Sequence, residues 1–196
     1  MKRNFYILVI LCIMLTAVVS CSKSGNGPDG SNNGGSTPYF EYSIGGDKAI
    51  RVNCAEINFS ARDGETISGV FATSASNKST FSFTFPATSA AIEAAGTGDY
   101  PVLPFKGYLD GSEPFEFSLR APKTAGGTDY YMATEPTAAD HKNTVKKIEK
   151  GSVESGKQVY WVEGEYKLPA KNADEQTTTI TGKYRFKLYT LLTAAQ

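Results

Sequence analysis

Histidine is almost missing from this 196-residue chain, where His141 stands alone. A single imidazole rules out a His-rich metal site and leaves a His-dependent catalytic constellation without its partners. Cysteine is nearly as scarce. Cys12 and Cys21 fall within the first 21 residues and only Cys54 lies beyond them, so no disulfide framework staples the fold. Charge of one sign is missing too, since 20 basic side chains balance 20 acidic ones. A nucleic-acid binder shows a basic excess on one face, so that partner class is excluded. The carboxylates form no DxDxDG-type calcium loop, and no pair has the spacing of an acid/base dyad. No cofactor is implied and no catalytic residue stands out; the protein reads as a non-enzyme. The length suits one domain and not two.

What is present begins with an address. Lys2 and Arg3 precede an uncharged apolar run from Phe5 to Val19, which ends at the small residue Ser20 before Cys21. That order is the layout of a secretory signal, and a run of this length falls short of the about 20 residues of a spanning helix. Val18-Val19-Ser20-Cys21 resembles the lipobox of bacterial lipoproteins. The resemblance implies cleavage after residue 20 and acylation of Cys21, with palmitate among the chains expected there. Each buried acyl CH₂ adds about 0.8 kcal/mol, and two or more chains hold stably. Loss of Lys2 and Arg3 tips the mature chain acidic. Residues 22–38, SKSGNGPDGSNNGGSTP, carry too little apolar surface to offset their ordering entropy. They read as a flexible linker with an r.m.s. span on the order of 20–25 Å.

From residue 39 to 196 the pattern has period two and describes one domain. Phe40, Tyr42 and Ile44 share a face, as do Ile50, Val52 and Cys54; the parity then switches to Ile57 and Phe59, which predicts a bulge or corner near Ala55-Glu56. Phe81, Phe83 and Phe85 alternate with Ser82 and Thr84, and Phe115, Phe117 and Leu119 with Glu116, Ser118 and Arg120. One apolar and one polar face is the signature of an antiparallel sheet with a wet side. Gly45-Gly46-Asp47, Asp63-Gly64, Gly96-Thr97-Gly98-Asp99, Asp110-Gly111 and Gly126-Gly127 supply the turns. Only Ser89–Ala95 reads as helix. The expected fold is all-β, an antiparallel β-sandwich with a β-barrel as the alternative.

The C-terminal hairpin is the most legible part. Tyr160, Val162, Gly164, Tyr166 and Leu168 share one face, answered by Ile180, Gly182, Tyr184, Phe186 and Leu188. A register with Glu163 opposite Arg185 also sets Glu165 against Lys183 and Trp161 against Lys187, and no like charges meet. A slip of two residues would oppose Lys167 and Lys183, and a slip of one would exchange the faces. The predicted register lays the Lys187 stem over the Trp161 ring as a cation–π contact. Gly within these strands, in VEGEY, ITGKY and ISGVF, marks a close approach beside a large ring. The runs TFSFTFP, GTGDY and GKYRF resemble the β-sandwich lipoproteins of Bacteroidetes outer membranes. That resemblance implies fold and an outer-membrane location, on the surface or the periplasmic side, and no activity.

Trp161 lies on the polar parity of its strand, with Glu163, Glu165 and Lys167. An exposed Trp can stack on a sugar ring, and Tyr130 and Tyr131 are candidates for a second platform. Cys54 aligns with Ile50 and Val52 as a small core residue, and His141 falls in a polar loop. Lys142, Lys146, Lys147 and Lys150 form a basic cluster on a solvated edge. The reading is a membrane-bound lipoprotein acting as a non-catalytic binding module for a glycan or protein ligand. The alternative is a structural or assembly subunit of a surface complex; a hydrolase is the least favoured.

Overall fold

The computed structural model describes residues 37–53, 57–108 and 111–192, with the backbone course alone over 57–62. Cys21, Cys54 and the corner at Ala55-Glu56 lie outside the described residues. Within them are eleven strands and one helix. The strands are β1 Tyr39–Ile44, β2 Ile50–Asn53, β3 Ile57–Arg62, β4 Ile67–Ser74, β5 Thr80–Pro86, β6 Gly98–Tyr100, β7 Phe117–Pro122, β8 Tyr130–Ala133, β9 Lys142–Glu154, β10 Lys157–Lys171 and β11 Thr177–Leu191; the helix α1 is Ser89–Ala95. All named strand pairs are antiparallel, and the order is β2-β1-β11-β10-β8-β7-β5-β4-β3.

The fold is all-β, as the period-two pattern predicts. Sandwich and barrel meet in one sheet that curls into a half-barrel. β2 and β3 end the strand order on opposite sides, yet four peptide steps join Asn53 to Ile57. At 3.8 Å per step the two ends lie within about 15 Å, so the sheet must fold back on itself. Aromatic rings fill the space between the facing walls. Phe40 of β1 meets Phe81 of β5 at 4.9 Å, Phe186 of β11 stacks on Phe81 at 5.0 Å, and Tyr166 of β10 stacks on Phe117 of β7 at 4.2 Å.

β10 and β11 pair in the expected register: Glu163 faces Arg185, Glu165 faces Lys183 and Trp161 faces Lys187. The inward rows are the predicted ones, and the two strand glycines sit opposite each other's tyrosines. Gly164 opposes Tyr184, and Gly182 opposes Tyr166. Each ring lies across the neighbouring glycine, where a β-carbon would collide. Tyr166 then reaches past Gly182 to donate to the Glu41 carbonyl oxygen at 2.8 Å.

Three expectations change. The second face of β5 and β7 is not wet: Ser82, Thr84, Glu116 and Ser118 are all buried. The loop preceding β7 folds over that face, with the Thr84 hydroxyl donating to the Glu113 carbonyl at 2.6 Å and accepting from the Glu116 N–H at 2.9 Å. Phe105 adds cover by stacking on Phe71, which sits beside Ser82 on that side. His141 does lie in the loop, but that loop ends there: Lys142 beside it already begins the 13-residue β9. Likewise Gly98-Asp99 belongs to β6 and not to a turn.

One edge of β10 forks. It pairs with β9 from Lys157 to Lys167 and with β8 at Ala170 and Lys171. The segment from Gly98 to Phe105 wedges between the limbs, pairing β6 with β9, then accepting and donating at Phe117 and donating from Phe105 to the Ala133 carbonyl. α1 leads into this wedge. Thr88 caps it by accepting from the Ala91 N–H, and Gly96 ends it at φ 68°, a conformation that favours glycine. Its Ile92 is wholly buried, which leaves Glu93 on the rim toward β9.

Candidate functional site

Trp161 lies on the outer face of β10, half-buried in a ladder of alternating charges. Across four strands one row reads Arg51, Glu41, Lys183 and Glu165, and the next reads Tyr39, Arg185, Glu163 and Lys147. Lys183 pairs with Glu41 at 3.0 Å and Arg185 with Glu163 at 3.2 Å. The cation closest to the Trp161 ring is Arg185, 4.5 Å from its centre; Lys187 stands at 6.0 Å. This corrects the expected contact. Lys187 is directly opposite, but Glu154 draws its ammonium away with bonds of 2.7 and 2.9 Å. The diagonal Arg185, with its planar guanidinium, takes the ring face instead.

One face of the ring is thereby covered within the fold. A double-mutant cycle on Trp161 and Arg185 should give a coupling of about 0.5–1 kcal/mol in urea unfolding, and one on Trp161 and Lys187 a few tenths at most. Equal couplings would show that Lys187 carries the contact after all.

The structure does not assemble the other aromatic candidates around Trp161. Tyr131 is 6% exposed and points into the core, so it offers no face to a ligand. Tyr130 is half-buried under Arg120, whose guanidinium lies 3.5 Å from the ring centre. β8 meets β10 at Ala170 and Lys171, about 30 Å along the strand from Trp161, and Tyr130 lies further out still. The basic cluster is also spoken for: Lys142 pairs with Asp99, Lys146 with Glu165, Lys147 with Glu149 and Lys150 with Glu93.

The last of these pairs lies in a recess of about 370 Å³ between α1 and β9. Ile92, Ile148 and the Tyr160 ring form its apolar wall, and Glu93, Thr97 and Lys150 its polar rim. β10 carries Tyr160 directly opposite Lys150 of β9, and α1 brings Glu93 over both. The Tyr160 hydroxyl donates to Glu93 Oε1 at 2.5 Å, and Lys150 Nζ donates to the same oxygen at 2.8 Å.

No protein-family model, curated protein or solved structure matches the chain. What the recess can do must be argued from its own groups. The Lys150 ammonium, and after it the Tyr160 hydroxyl, hold Glu93 below the ordinary carboxylate range. Burial, reinforced by the bond to Glu93, pushes the Tyr160 phenol well above its usual value. At neutral pH the carboxylate keeps its charge and the phenol keeps its proton. The arrangement suits hydrogen bonding to a bound molecule.

Sequence reasoning missed this recess. Glu93 and Lys150 are 57 residues apart and Glu93 and Tyr160 are 67, so no motif joins them.

Proposed function

We propose that the protein is a lipid-anchored envelope protein of the outer membrane, akin to the β-sandwich lipoproteins of Bacteroidetes, and that its β domain is a non-catalytic binding module for a glycan. The observation that carries the binding reading is the recess beside α1. Its apolar wall and few fixed polar groups have the make-up of a small-ligand site, at the low end of the usual volume. The anchoring half of the reading rests on the sequence Val18-Val19-Ser20-Cys21 at the end of the signal segment.

The two halves are tested separately. Cys21→Ala should move the protein from the membrane fraction to the soluble fraction while its β-type circular dichroism is kept. Retention in the membrane would show that something other than acylation holds it. Binding is tested on a glycan array with the purified full chain, where reproducible hits are expected and a blank array would count against the module.

A second reading, an assembly subunit, draws on Val153, Leu191 and Leu192. They are 53%, 51% and 49% exposed and crowd the end of the sheet where β9 and β11 flank the start of β10. Cross-linking in intact cells to one recurrent protein partner through that end would favour it.

A further inference from the structure

Resting on the glycan reading above, we infer that the recess between α1 and β9 is a single-ring sugar subsite that takes a neutral vicinal diol, with Glu93 as its acceptor and Lys150 as its donor. The hydrogen-bond count of the rim leads there. Tyr160 and Lys150 both spend a bond on Oε1 of Glu93, and no donor among the described residues bonds Oε2. An ammonium has three donors, and Lys150 uses one of them on Glu93. A free acceptor, Oε2, therefore stands on the same carboxylate whose Oε1 lies 2.8 Å from the Lys150 ammonium and its remaining donors. Two neighbouring ring hydroxyls match that arrangement, one donating to Oε2 and the next accepting from Nζ. Charge-assisted bonds of this kind are the stronger class.

Charge selects the ligand further. The carboxylate and the ammonium are about equally exposed and cancel each other, so neither an anionic nor a cationic ligand gains net attraction. A neutral polyhydroxyl meets no such penalty. Its C–H face has the half-buried Ile148 to rest on, and Thr97 adds a hydroxyl at the rim. Preorganisation comes from the fold: the buried Tyr160 hydroxyl pins the carboxylate, and Lys150 rises from a strand position opposite Tyr160.

The test is an amide-shift titration of the isotope-labelled full chain, purified in detergent, with methyl β-galactopyranoside, methyl α-mannopyranoside, their deoxy analogues lacking the diol, and galacturonic acid. Saturable shifts are expected at Gly96, Thr97 and Ile148 with the neutral glycosides, with a dissociation constant on the order of 1 mM for so few contacts. Removing the diol, or making Glu93→Gln or Lys150→Met, should weaken binding about tenfold or more. Glu93→Gln keeps an acceptor for Tyr160, so its unfolding midpoint should stay close to the parent and separate lost binding from lost fold. Unchanged affinity in both variants, or tighter binding of galacturonic acid than of the neutral glycosides, would overturn the diol assignment. If arrayed glycans or glycosides shift Trp161 and Arg185 while Gly96 and Thr97 stay still, the recess is wrong and the binding module stands. Silence at every amide, with a blank array, sinks both.

Discussion

Gly182→Ala should cost at least about 3 kcal/mol of folding free energy, enough to unfold a large part of the population of a marginal domain. The reason is space and not conformation. A methyl group at residue 182 overlaps the Glu41 carbonyl oxygen on the paired β1 strand and comes within 2.5 Å of the Tyr166 hydroxyl. The first obstacle is backbone in the middle of the sheet and cannot step aside. The second is a ring stacked at 4.2 Å on Phe117 and tied to the Glu41 carbonyl, so moving it loosens both walls of the core. Overpacking of a tight core by one methyl ordinarily costs about 1–3 kcal/mol, and here the strand pairing yields as well. Gly164→Ala is the twin, meeting the Tyr184 hydroxyl and, at 2.8 Å, the Thr144 carbonyl oxygen. Gly46 is the control. Its φ is +87° but nothing lies within 4 Å of a β-carbon there, so Gly46→Ala should cost only about 1–2 kcal/mol of backbone strain. Urea midpoints for the three variants decide the matter. A Gly182→Ala midpoint no lower than that of Gly46→Ala would mean the rings do not hold the glycines as described.

These glycines were visible in the sequence because they repeat a local pattern, aliphatic, any, Gly, any, aromatic, on strands whose parity is unbroken. The same unbroken parity, with charges that had to alternate across the hairpin, fixed the β10–β11 register. β9 was harder to see. Lys142–Glu154 has Val145, Ile148 and Val153 as its only large apolar residues, and register shifts opposite Gln158/Tyr160 and Glu163/Gly164 break its period. A signal did exist in Ser155-Gly156, a two-residue connection in which both residues have positive φ, the usual link of a tight hairpin. The adjacent Tyr130 and Tyr131 could not both face a ligand, since neighbours on a strand point to opposite sides. The recess was beyond reach for a different reason. Its polar groups come from α1, the turn after it and the paired strands β9 and β10, which are far apart in the chain.

Alkaline unfolding should be steep and complete soon after tyrosine begins to ionise. Burial pushes Tyr42 up to about 12, and burial pushes Tyr160, Tyr166 and Tyr184 up as well. All four rings are almost wholly inaccessible. In the unfolded chain each phenol ionises near its ordinary value of about 10. Above that pH the unfolded state binds fewer protons than the native state, so the free energy of unfolding falls as pH rises. The stabilisation is whole below about pH 10 and is lost as pH climbs toward the folded-state values. Tyr42 alone accounts for about 2–3 kcal/mol by pH 12, a large share of the about 5–15 kcal/mol that holds a whole domain, and the other three act in the same direction. The fold should therefore give way before any of the four ionises in place. The tyrosinate absorbance should rise in the same narrow interval in which the near-ultraviolet circular dichroism vanishes. Tyr42→Phe removes one ionising group and should make that pH transition shallower, although it leaves the Pro122 carbonyl without its 3.0 Å bond and lowers stability at neutral pH. A gradual tyrosinate titration that runs to completion with the dichroism intact would mean that water reaches these rings in the native state.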